Sequence, residues 1–398
     1  MGPGMVFIED VLKERGKLRE LITARFAPLW MLRARRTPDS LPTVIFSSGS
    51  TGTPKGVMLS HYNILSNIEA MAQVFWLGER DRIVSVLPLF HSFGFTVTIW
   101  LPVVAGCGAA YHPNPTDAKA IGELVEKYRG TFLLSTPTFC SGYARRCTKE
   151  QFASLRFVLV GAEKLRESIA KQFEEAFGVE LLEGYGCTEM SPVVAVNVPN
   201  FEAGRDTQVG NKFGTVGHPL PGVAAKIVDP ETMEPRGANQ EGLLLVKGAN
   251  RMMGYVGAPR HEDDWYTTGD IAVLDDEGFL RITDRLSRFS KIGGEMVPHL
   301  KIEDALHGAL GDDPLVVVGI PDDKKGERLV VLFTGPMTPA EVWGKLAETD
   351  LPRLWVPKRE NIYCVDCLPT LGTGKLDLRG VRARAEELAR VIEGSVRE

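Results

Sequence analysis

The stretch Ser47-Ser48-Gly49-Ser50-Thr51-Gly52-Thr53-Pro54-Lys55-Gly56 puts three glycines, several hydroxyl side chains and one lysine into a single short turn. Glycines let the backbone bend tightly and approach a ligand closely. Free amides, hydroxyls and a cation are the groups that hold a polyphosphate. The spacing differs from the Gly-x-x-x-x-Gly-Lys-Ser/Thr loop of nucleotide hydrolases. The stretch therefore predicts a phosphate-binding loop of another kind, and a flexible Ser/Gly linker is the alternative.

The overall composition is that of a globular protein without a nucleic-acid signal. The chain has 398 residues, of which 44% are hydrophobic and 24% charged, enough for two or three domains. The net charge of −5 gives no indication of nucleic-acid binding. Six scattered cysteines form no disulfide framework, and Met1-Gly2-Pro3-Gly4 does not begin a signal peptide. We therefore expect a cytoplasmic protein.

The membrane question concerns residues 83–111, which contain no Asp, Glu, Lys or Arg. A membrane-spanning helix needs about 20 consecutive apolar residues. Here Pro88, His91, Gly94 and Pro102 interrupt the run. The pattern favours a buried strand, a loop, a buried helix and a second strand over a membrane span.

Strand and helix patterns alternate up to Pro199, which predicts α/β layers. Strands are predicted at 131–135, 155–160 and 179–182, and ligand motifs follow the ends of the last two, as is usual in open α/β sheets. Beyond Pro199, short β-rich runs at 224–228, 242–247, 271–274 and 279–283 predict a small antiparallel unit or barrel. The predicted domains are an N-terminal helical and basic segment (1–42), a large domain (43–284, β-rich from about 200) and a C-terminal domain (285–398).

Five segments in the same order resemble the motifs of the adenylate-forming, or AMP-binding, superfamily, which includes acyl-CoA synthetases, luciferases and peptide-synthetase adenylation domains. They are Ser47–Gly56, Gly184-Tyr185-Gly186-Cys187-Thr188-Glu189, Tyr266-Thr267-Thr268-Gly269-Asp270, Asp284-Arg285-Leu286-Ser287-Arg288 and Leu368-Pro369-Thr370-Leu371-Gly372-Thr373-Gly374-Lys375. The resemblance implies an α/β fold like that of acyl-CoA synthetases. Its large domain has layered α/β sheets and a small β-barrel, and a smaller α+β C-terminal domain is mobile.

The resemblance also implies ATP and Mg²⁺ as cofactors and a set of site residues. Nucleotide contacts fall on Ser47, Ser48, Gly49, Ser50, Thr51, Gly52, Thr53, Lys55, Gly161, Ala162, Glu163, Gly184, Tyr185, Gly186, Thr188, Asp270 and Arg285. Catalytic roles fall on Lys375, Thr188, His91 and Lys55, metal binding on Glu189 and the hinge on Arg288.

Individual roles follow from the same resemblance. Tyr185 is expected to stack on adenine, and Asp270 and Arg285 to bind the ribose. Lys375 is expected to reach the site of the first step from the C-terminal domain. His91 is expected to lie between the ATP and acyl pockets, with an ordinary core histidine as the alternative.

Three segments match one branch of this superfamily more specifically than the general motifs do. Residues 288–296, 182–189 and 111–115 together resemble the synthetase half of bacterial acyl-carrier-protein synthetase/2-acylglycerophosphoethanolamine acyltransferases. This resemblance implies a fatty acid substrate and the pantetheine thiol of acyl carrier protein as acceptor, with coenzyme A as the alternative.

The start of the chain departs from the family pattern. Only 46 residues precede the phosphate loop, fewer than in the family, so we expect a shortened N-terminus. A catalytically inactive nucleotide-binding remnant therefore stays open as an alternative. The basic apolar segment 26–36, or an acyltransferase domain missing here, is a candidate for peripheral membrane contact.

Overall fold

The computed structural model describes residues 37–47, 54–204, 206–258, 263–310, 314–322, 325–370 and 376–395. Residues 1–36, the loop residues Ser48, Gly49, Ser50, Thr51, Gly52 and Thr53, and Lys375 lie outside the described residues.

In chain order the strands are β1 (Thr43–Ser47), β2 (Lys55–Leu59), β3 (Arg82–Ser85), β4 (Gly108–Tyr111), β5 (Phe132–Ser135), β6 (Phe157–Val160), β7 (Leu181–Gly186), β8 (Val193–Val196), β9 (Phe201–Ala203), β10 (Asp206–Gln208), β11 (His218–Pro219), β12 (Val223–Val228), β13 (Gly242–Gly248), β14 (Gly254–Tyr255), β15 (Tyr266–Leu274), β16 (Leu280–Arg285), β17 (Phe289–Ile292), β18 (Glu295–Pro298), β19 (Leu315–Asp322), β20 (Gly326–Phe333) and β21 (Ile362–Cys364). The α-helices are α1 (His61–Phe75), α2 (Ser92–Gly94), α3 (Leu101–Ala105), α4 (Ala118–Tyr128), α5 (Pro137–Arg146), α6 (Glu167–Phe177), α7 (His299–Leu310), α8 (Pro339–Ala347) and α9 (Leu378–Ser395). A π-helical segment, Phe95–Trp100, joins α2 to α3, and 3-10 turns span Thr188–Met190, Leu286–Arg288, Arg353–Trp355 and Arg359–Asn361.

The central sheet has the order β11-β8-β7-β6-β5-β3-β4. Strands β3 to β7 pair in parallel, whereas β8 runs antiparallel to β7. The residues of β5 are all buried because helices cover parallel sheets on both faces, which explains its unbroken apolar run. The predicted strands at 131–135 and 155–160 are confirmed as β5 and β6. The strand predicted at 179–182 is longer than expected, because β7 continues through Gly184, Tyr185 and Gly186 to pair with β8.

Helix α1 follows the loop hairpin formed by β1 and β2. Ser60 caps its N-terminus in a capping box with Asn63, which satisfies two backbone amides. Residues at helical spacing, Ile64, Ile68 and Met71, bury one face of the helix in the main core. The run 83–111 forms β3, a loop, the helical segment 92–105 and β4, as predicted. Among the described residues, no helix combines the length and apolar character needed to cross a membrane.

The β-rich region forms an antiparallel sheet of order β12-β13-β15-β16, at the four predicted positions. A separate sheet of order β18-β17-β20-β19, with β21 beside β20, follows from residue 289 onward. Helices α7 and α8 pack on one face of it, through Ile302, Leu306, Val342 and Leu346. Helix α9 packs on the other face, through Val381 and Ala385. The two sheets share no strand among the described residues.

Candidate functional site

The two ends of the glycine-rich loop meet on adjacent strands. Ser47 at the end of β1 pairs with Lys55 at the start of β2, in an antiparallel hairpin that β14 extends on its other side. The Lys55 ammonium lies 5.1 Å from the ring centroid of Tyr255. The Ser47 hydroxyl oxygen is buried and has no hydrogen-bond partner among the described atoms. A polar atom and a cation therefore flank the loop at its base.

Glu189 lies beside this hairpin, in the 3-10 turn that connects β7 and β8. It is 9% exposed, and its Oε1 accepts a hydrogen bond of 2.8 Å from the Tyr255 hydroxyl. Burial raises the pKa of Tyr255 to about 12, so this hydroxyl stays protonated and donates. Tyr255 thus links the Lys55 ammonium to the Glu189 carboxylate.

A second carboxylate, Asp270 on β15, accepts hydrogen bonds from Tyr185 on β7 of the central sheet and from Arg285 on the adjacent strand β16. The Tyr185 hydroxyl donates to Oδ2, and Arg285 Nε donates to Oδ1 over 2.9 Å. Asp270 is 3% exposed, and its pairing with Arg285 follows from the β15–β16 register. The Asp270 charge raises the pKa of Arg285, and burial raises that of Tyr185, so both groups keep their protons. The predicted adenine and ribose residues therefore meet at one place.

The segment after β6 approaches the end of β7 closely. A Cβ on Gly161 would lie 3.2 Å from the Gly184 carbonyl oxygen and 3.6 Å from the Phe93 ring. Ala162 has a φ of 68°, a conformation that non-glycine residues adopt uncommonly. The Glu163 carboxylate accepts a hydrogen bond of 2.6 Å from the Thr138 hydroxyl, at the start of α5. The structure thus brings Gly161 to Gly184, whereas the Glu163 side chain is engaged by α5.

The first residue of α2, Ser92, contacts the turn that carries Glu189. Ser92 Oγ lies 3.1 Å from Thr188 Oγ1, and Ser92 is fully buried. His91 is exposed, and its Nδ1 accepts a hydrogen bond of 3.3 Å from the Phe93 amide. The alternative interpretation of His91 as a core histidine is therefore wrong.

Arg288, the expected hinge residue, interacts with α7, a helix that packs on the C-terminal sheet. Its guanidinium forms a largely buried ion pair with Glu303 on α7. The same Glu303 oxygen accepts a hydrogen bond of 2.7 Å from the Val317 amide. Just before this turn, Asp284 Oδ2 accepts a bond of 3.3 Å from the Leu300 amide in the first turn of α7.

Sequence reasoning missed Ser92 and Tyr255. Both contacts join segments far apart in the chain, and neither residue belongs to a motif that indicates its partner. Only the short Gly254-Tyr255 strand, inserted beside β2, brings the Tyr255 hydroxyl to Glu189.

The donor set fits Mg²⁺ bound through one carboxylate. In the part of the chain that the structure describes, no group of three or more His, Cys, Asp or Glu side chains could hold a metal ion. Mg²⁺ is usually held by one or two carboxylates together with substrate phosphates and water. A single buried carboxylate, Glu189, beside the base of the phosphate-loop hairpin meets that requirement.

Comparisons with known proteins agree with this geometry. The family model described as "AMP-binding enzyme" matches residues 8–256. The long-chain-fatty-acid–CoA ligase of Escherichia coli O6:H1 is 31% identical over 87% of this chain and 62% of its own length. That of Bacillus subtilis is 31% identical over 83% of this chain and 59% of its own length. The chain thus spans about 60% of the length of these curated relatives.

A solved structure shares the architecture. The crystal structure of ATP-bound MatB from Rhodopseudomonas palustris superposes with a TM-score of 0.78 at 26% identity, over 89% of this chain and 70% of that one. The fold of the acyl-CoA-synthetase type, with its mixed α/β sheets, is confirmed.

Proposed function

The chain belongs to the AMP-binding enzyme family, and on that premise we propose that it is an ATP-dependent fatty acid–thiol ligase. The observation that carries the proposal is the convergence of three motifs on one site. Three separate segments are linked there through Tyr255 and Tyr185. They are the start of β2 with Lys55, the turn after β7 with Thr188 and Glu189, and β15 with Asp270.

The proposed roles are those that the family resemblance implies, combined with the contacts of the described residues. Asp270, oriented by Arg285 and Tyr185, accepts the ribose hydroxyls, and the Tyr185 ring stacks on adenine. Lys55 and the loop residues Ser47 to Thr53 hold the β- and γ-phosphates. Thr188 contacts the α-phosphate, and Glu189 holds Mg²⁺, which supplies positive charge at the phosphates. Gly161 and Gly184 line the adenine pocket together with Ala162, Glu163 and Gly186.

The proposed reaction has two steps. A carboxylate oxygen attacks the α-phosphorus, the bond to the β-phosphate breaks, and acyl-adenylate and pyrophosphate form. A thiol then attacks the acyl carbonyl and loses its proton, and AMP leaves as the thioester forms. Positioning and charge stabilisation carry most of such a reaction. His91 borders the acyl side of the site, and Lys375 contributes charge in the first step.

We propose coenzyme A as the thiol acceptor. The relatives named long-chain-fatty-acid–CoA ligases, and the mitochondrial medium-chain acyl-CoA ligase of Rattus norvegicus at 30% identity over 97% of this chain, support it. Acyl carrier protein is the second candidate for the thiol acceptor, and the resemblance of residues 288–296 supports it. Cytoplasmic location and peripheral membrane contact stay predictions from the sequence.

We further propose that residues 43–284 and 285–398 are two domains joined at the turn that carries Arg288. The separate sheets on either side of that turn support this division. Because Arg288 is anchored to Glu303, it would move with the C-terminal domain. We therefore place the flexible positions of the hinge next to Arg288 in the chain.

ATP–pyrophosphate exchange tests the proposal. The purified chain is incubated with ATP, Mg²⁺, labelled pyrophosphate and carboxylic acids of increasing chain length. We expect exchange that depends on a fatty acid, and loss of exchange in Asp270→Ala. Thioester formation is then compared between coenzyme A and acyl carrier protein. ATP binding without exchange for any acid would favour the inactive nucleotide-binding remnant instead.

A further inference from the structure

Two buried asparagines, remote from each other in sequence, hold the turn that carries Glu189. Asn67 on α1 is 1% exposed and clamps both backbone groups of Val193, the first residue of β8. Its Nδ2 donates to the Val193 carbonyl over 2.7 Å, and its Oδ1 accepts from the Val193 amide over 3.2 Å. This pair of bonds fixes where the turn ends.

Asn250, which precedes β14, forms hydrogen bonds with the same turn. It is 2% exposed, and its Nδ2 donates to the Met190 carbonyl over 2.7 Å and to the Val193 carbonyl over 3.0 Å. The Met252 amide donates to the Glu189 carbonyl over 2.8 Å. Thus backbone groups at 189, 190 and 193 are all tied to neighbouring segments.

The two asparagines belong to one framework. Asn63, one turn before Asn67 on α1, donates through its side chain to the Ala249 carbonyl over 2.9 Å. Helix α1, the segment 249–252 and the turn 188–193 are therefore cross-linked in a ring of amide hydrogen bonds. Within this network, the buried Asn250 Oδ1 atom has no hydrogen-bond partner among the described atoms.

We infer that Asn67 and Asn250 are positioning residues, which set the backbone from which the Glu189 carboxylate reaches the metal–nucleotide. The inference rests on the proposed role of Glu189. Groups that orient a metal ligand are themselves important, and their loss typically weakens metal binding about 10- to 100-fold.

The test is calorimetry of ATP binding with Mg²⁺ and with EDTA, together with AMP binding. The quantity compared is the factor by which Mg²⁺ strengthens ATP binding. Asn67→Leu and Asn250→Leu are expected to reduce this factor about 10-fold or more, while AMP affinity stays within about twofold. AMP serves as the reference because it lacks the β- and γ-phosphates to which the metal binds.

A matched control comes from the other end of β8. Asn197 is 1% exposed, and its side chain donates to the Glu183 and Thr215 carbonyls and accepts from the Lys212 amide. Asn197→Leu removes a comparable set of bonds away from the turn. Asn197→Leu should lower the melting temperature, as the other two variants are also expected to do. Mg²⁺ should nevertheless strengthen its ATP binding by the same factor as in the wild type. If Asn67→Leu does not fold, Asn67→Ser, which leaves a smaller hydroxyl, replaces it in the comparison.

The possible results distinguish the positioning role of Asn67 and Asn250 from the proposed metal role of Glu189. If Glu189→Gln abolishes the Mg²⁺ factor but the Asn67 and Asn250 variants keep it, the asparagines are structural only and the inference fails. If Glu189→Gln keeps the factor, the proposed metal role of Glu189 fails. Loss of the factor in Asn197→Leu as well would show that general destabilisation is responsible, which also overturns the inference.

Discussion

At the scale of single residues, Glu183 is a buried acid next to the nucleotide motif. It is 8% exposed on β7, and its Oε1 accepts a hydrogen bond of 3.1 Å from the Leu165 amide. Burial raises its pKa to about 7, against smaller opposing effects of the Leu165 bond and the Lys164 charge. Folding therefore favours the protonated form of Glu183.

This shift predicts a pH dependence of stability. Between its unfolded pKa of 4.5 and about 7, Glu183 binds more protons in the folded state, so the free energy of unfolding falls as pH rises. The contribution is on the order of 3 kcal/mol over that window. Glu183→Gln should remove it, so urea denaturation should show the variant gaining stability over wild type as pH rises towards 7.

The control for Glu183 is an exposed acid on the adjacent helix. Glu175→Gln on α6 removes the charge of an exposed carboxylate, so it provides the reference profile for losing one surface charge across the same window. If the pH profile of Glu183→Gln matches that of Glu175→Gln, burial does not raise the pKa of Glu183 and the prediction is wrong.

At the scale of elements, the β7–β8 hairpin depends on one close backbone approach. A Cβ on Gly186 would collide with the Pro192 carbonyl oxygen, and the pairing of β7 with β8 shifts register between Tyr185 and Gly186. The collision involves backbone on both sides, so it cannot be relieved by a rotamer change.

We expect Gly186→Ala to destabilise the protein by about 1–3 kcal/mol and to weaken ATP binding, because the displaced turn carries Thr188 and Glu189. Gly142→Ala on α5 is the matched change, since nothing lies within 4 Å of the added methyl group. In a helix interior that change should stabilise by about 0.5–1 kcal/mol. Thermal unfolding and calorimetry measure both variants. Equal stability of the two would contradict the close approach.

The elements that the sequence predicts best are those with strong local patterns. The apolar run of β5 and the helical spacing of Ile64 and Ile68 on α1 each identify an element without knowledge of its partner. The end of β7 was predicted too early, because pairing with the antiparallel β8 extends it. No local pattern indicated that β8 follows the turn.

Contacts within the site also could not be predicted from local sequence patterns. The motifs identified Tyr185 and Asp270, but not the hydrogen bond between them across 85 positions of the chain. That bond depends on strand order and register in two different sheets. Tyr255 and Asn250 were missed for the same reason, since each acts through a partner that is distant in sequence.

At the scale of the whole molecule, the contacts between the two proposed domains include exposed ion pairs. Lys291 pairs with Glu231 at 2.7 Å, and Lys164 with Asp304 at 3.4 Å, with all four side chains more than half exposed. Exposed pairs of this kind contribute about 0–1 kcal/mol each. These pairs therefore oppose a change in the relative orientation of the proposed domains only weakly. Such a change is what the proposed two-step reaction in one site needs.

Lys375 gives the sharpest test of such a two-domain mechanism, although it lies outside the described residues. From its motif, we propose that Lys375 acts in the first step only, from the C-terminal domain. Removing one preorganised charge typically lowers a rate on the order of 10²–10³-fold. Lys375→Ala should therefore nearly abolish pyrophosphate exchange while leaving thioester formation from supplied acyl-adenylate largely intact.

Lys358→Ala is the control for that variant, because Lys358 is an exposed lysine of the same domain, paired only at the surface with Glu360. It should leave both half-reactions unchanged. Equal loss of both half-reactions in Lys375→Ala would indicate a general defect in the site and contradict a first-step role. Loss of only the second half-reaction would reverse the assignment, and the C-terminal domain would then present Lys375 to the thiol step. The selective loss of exchange is the result expected if the C-terminal domain delivers this charge only for adenylation and is reoriented before the thiol attacks.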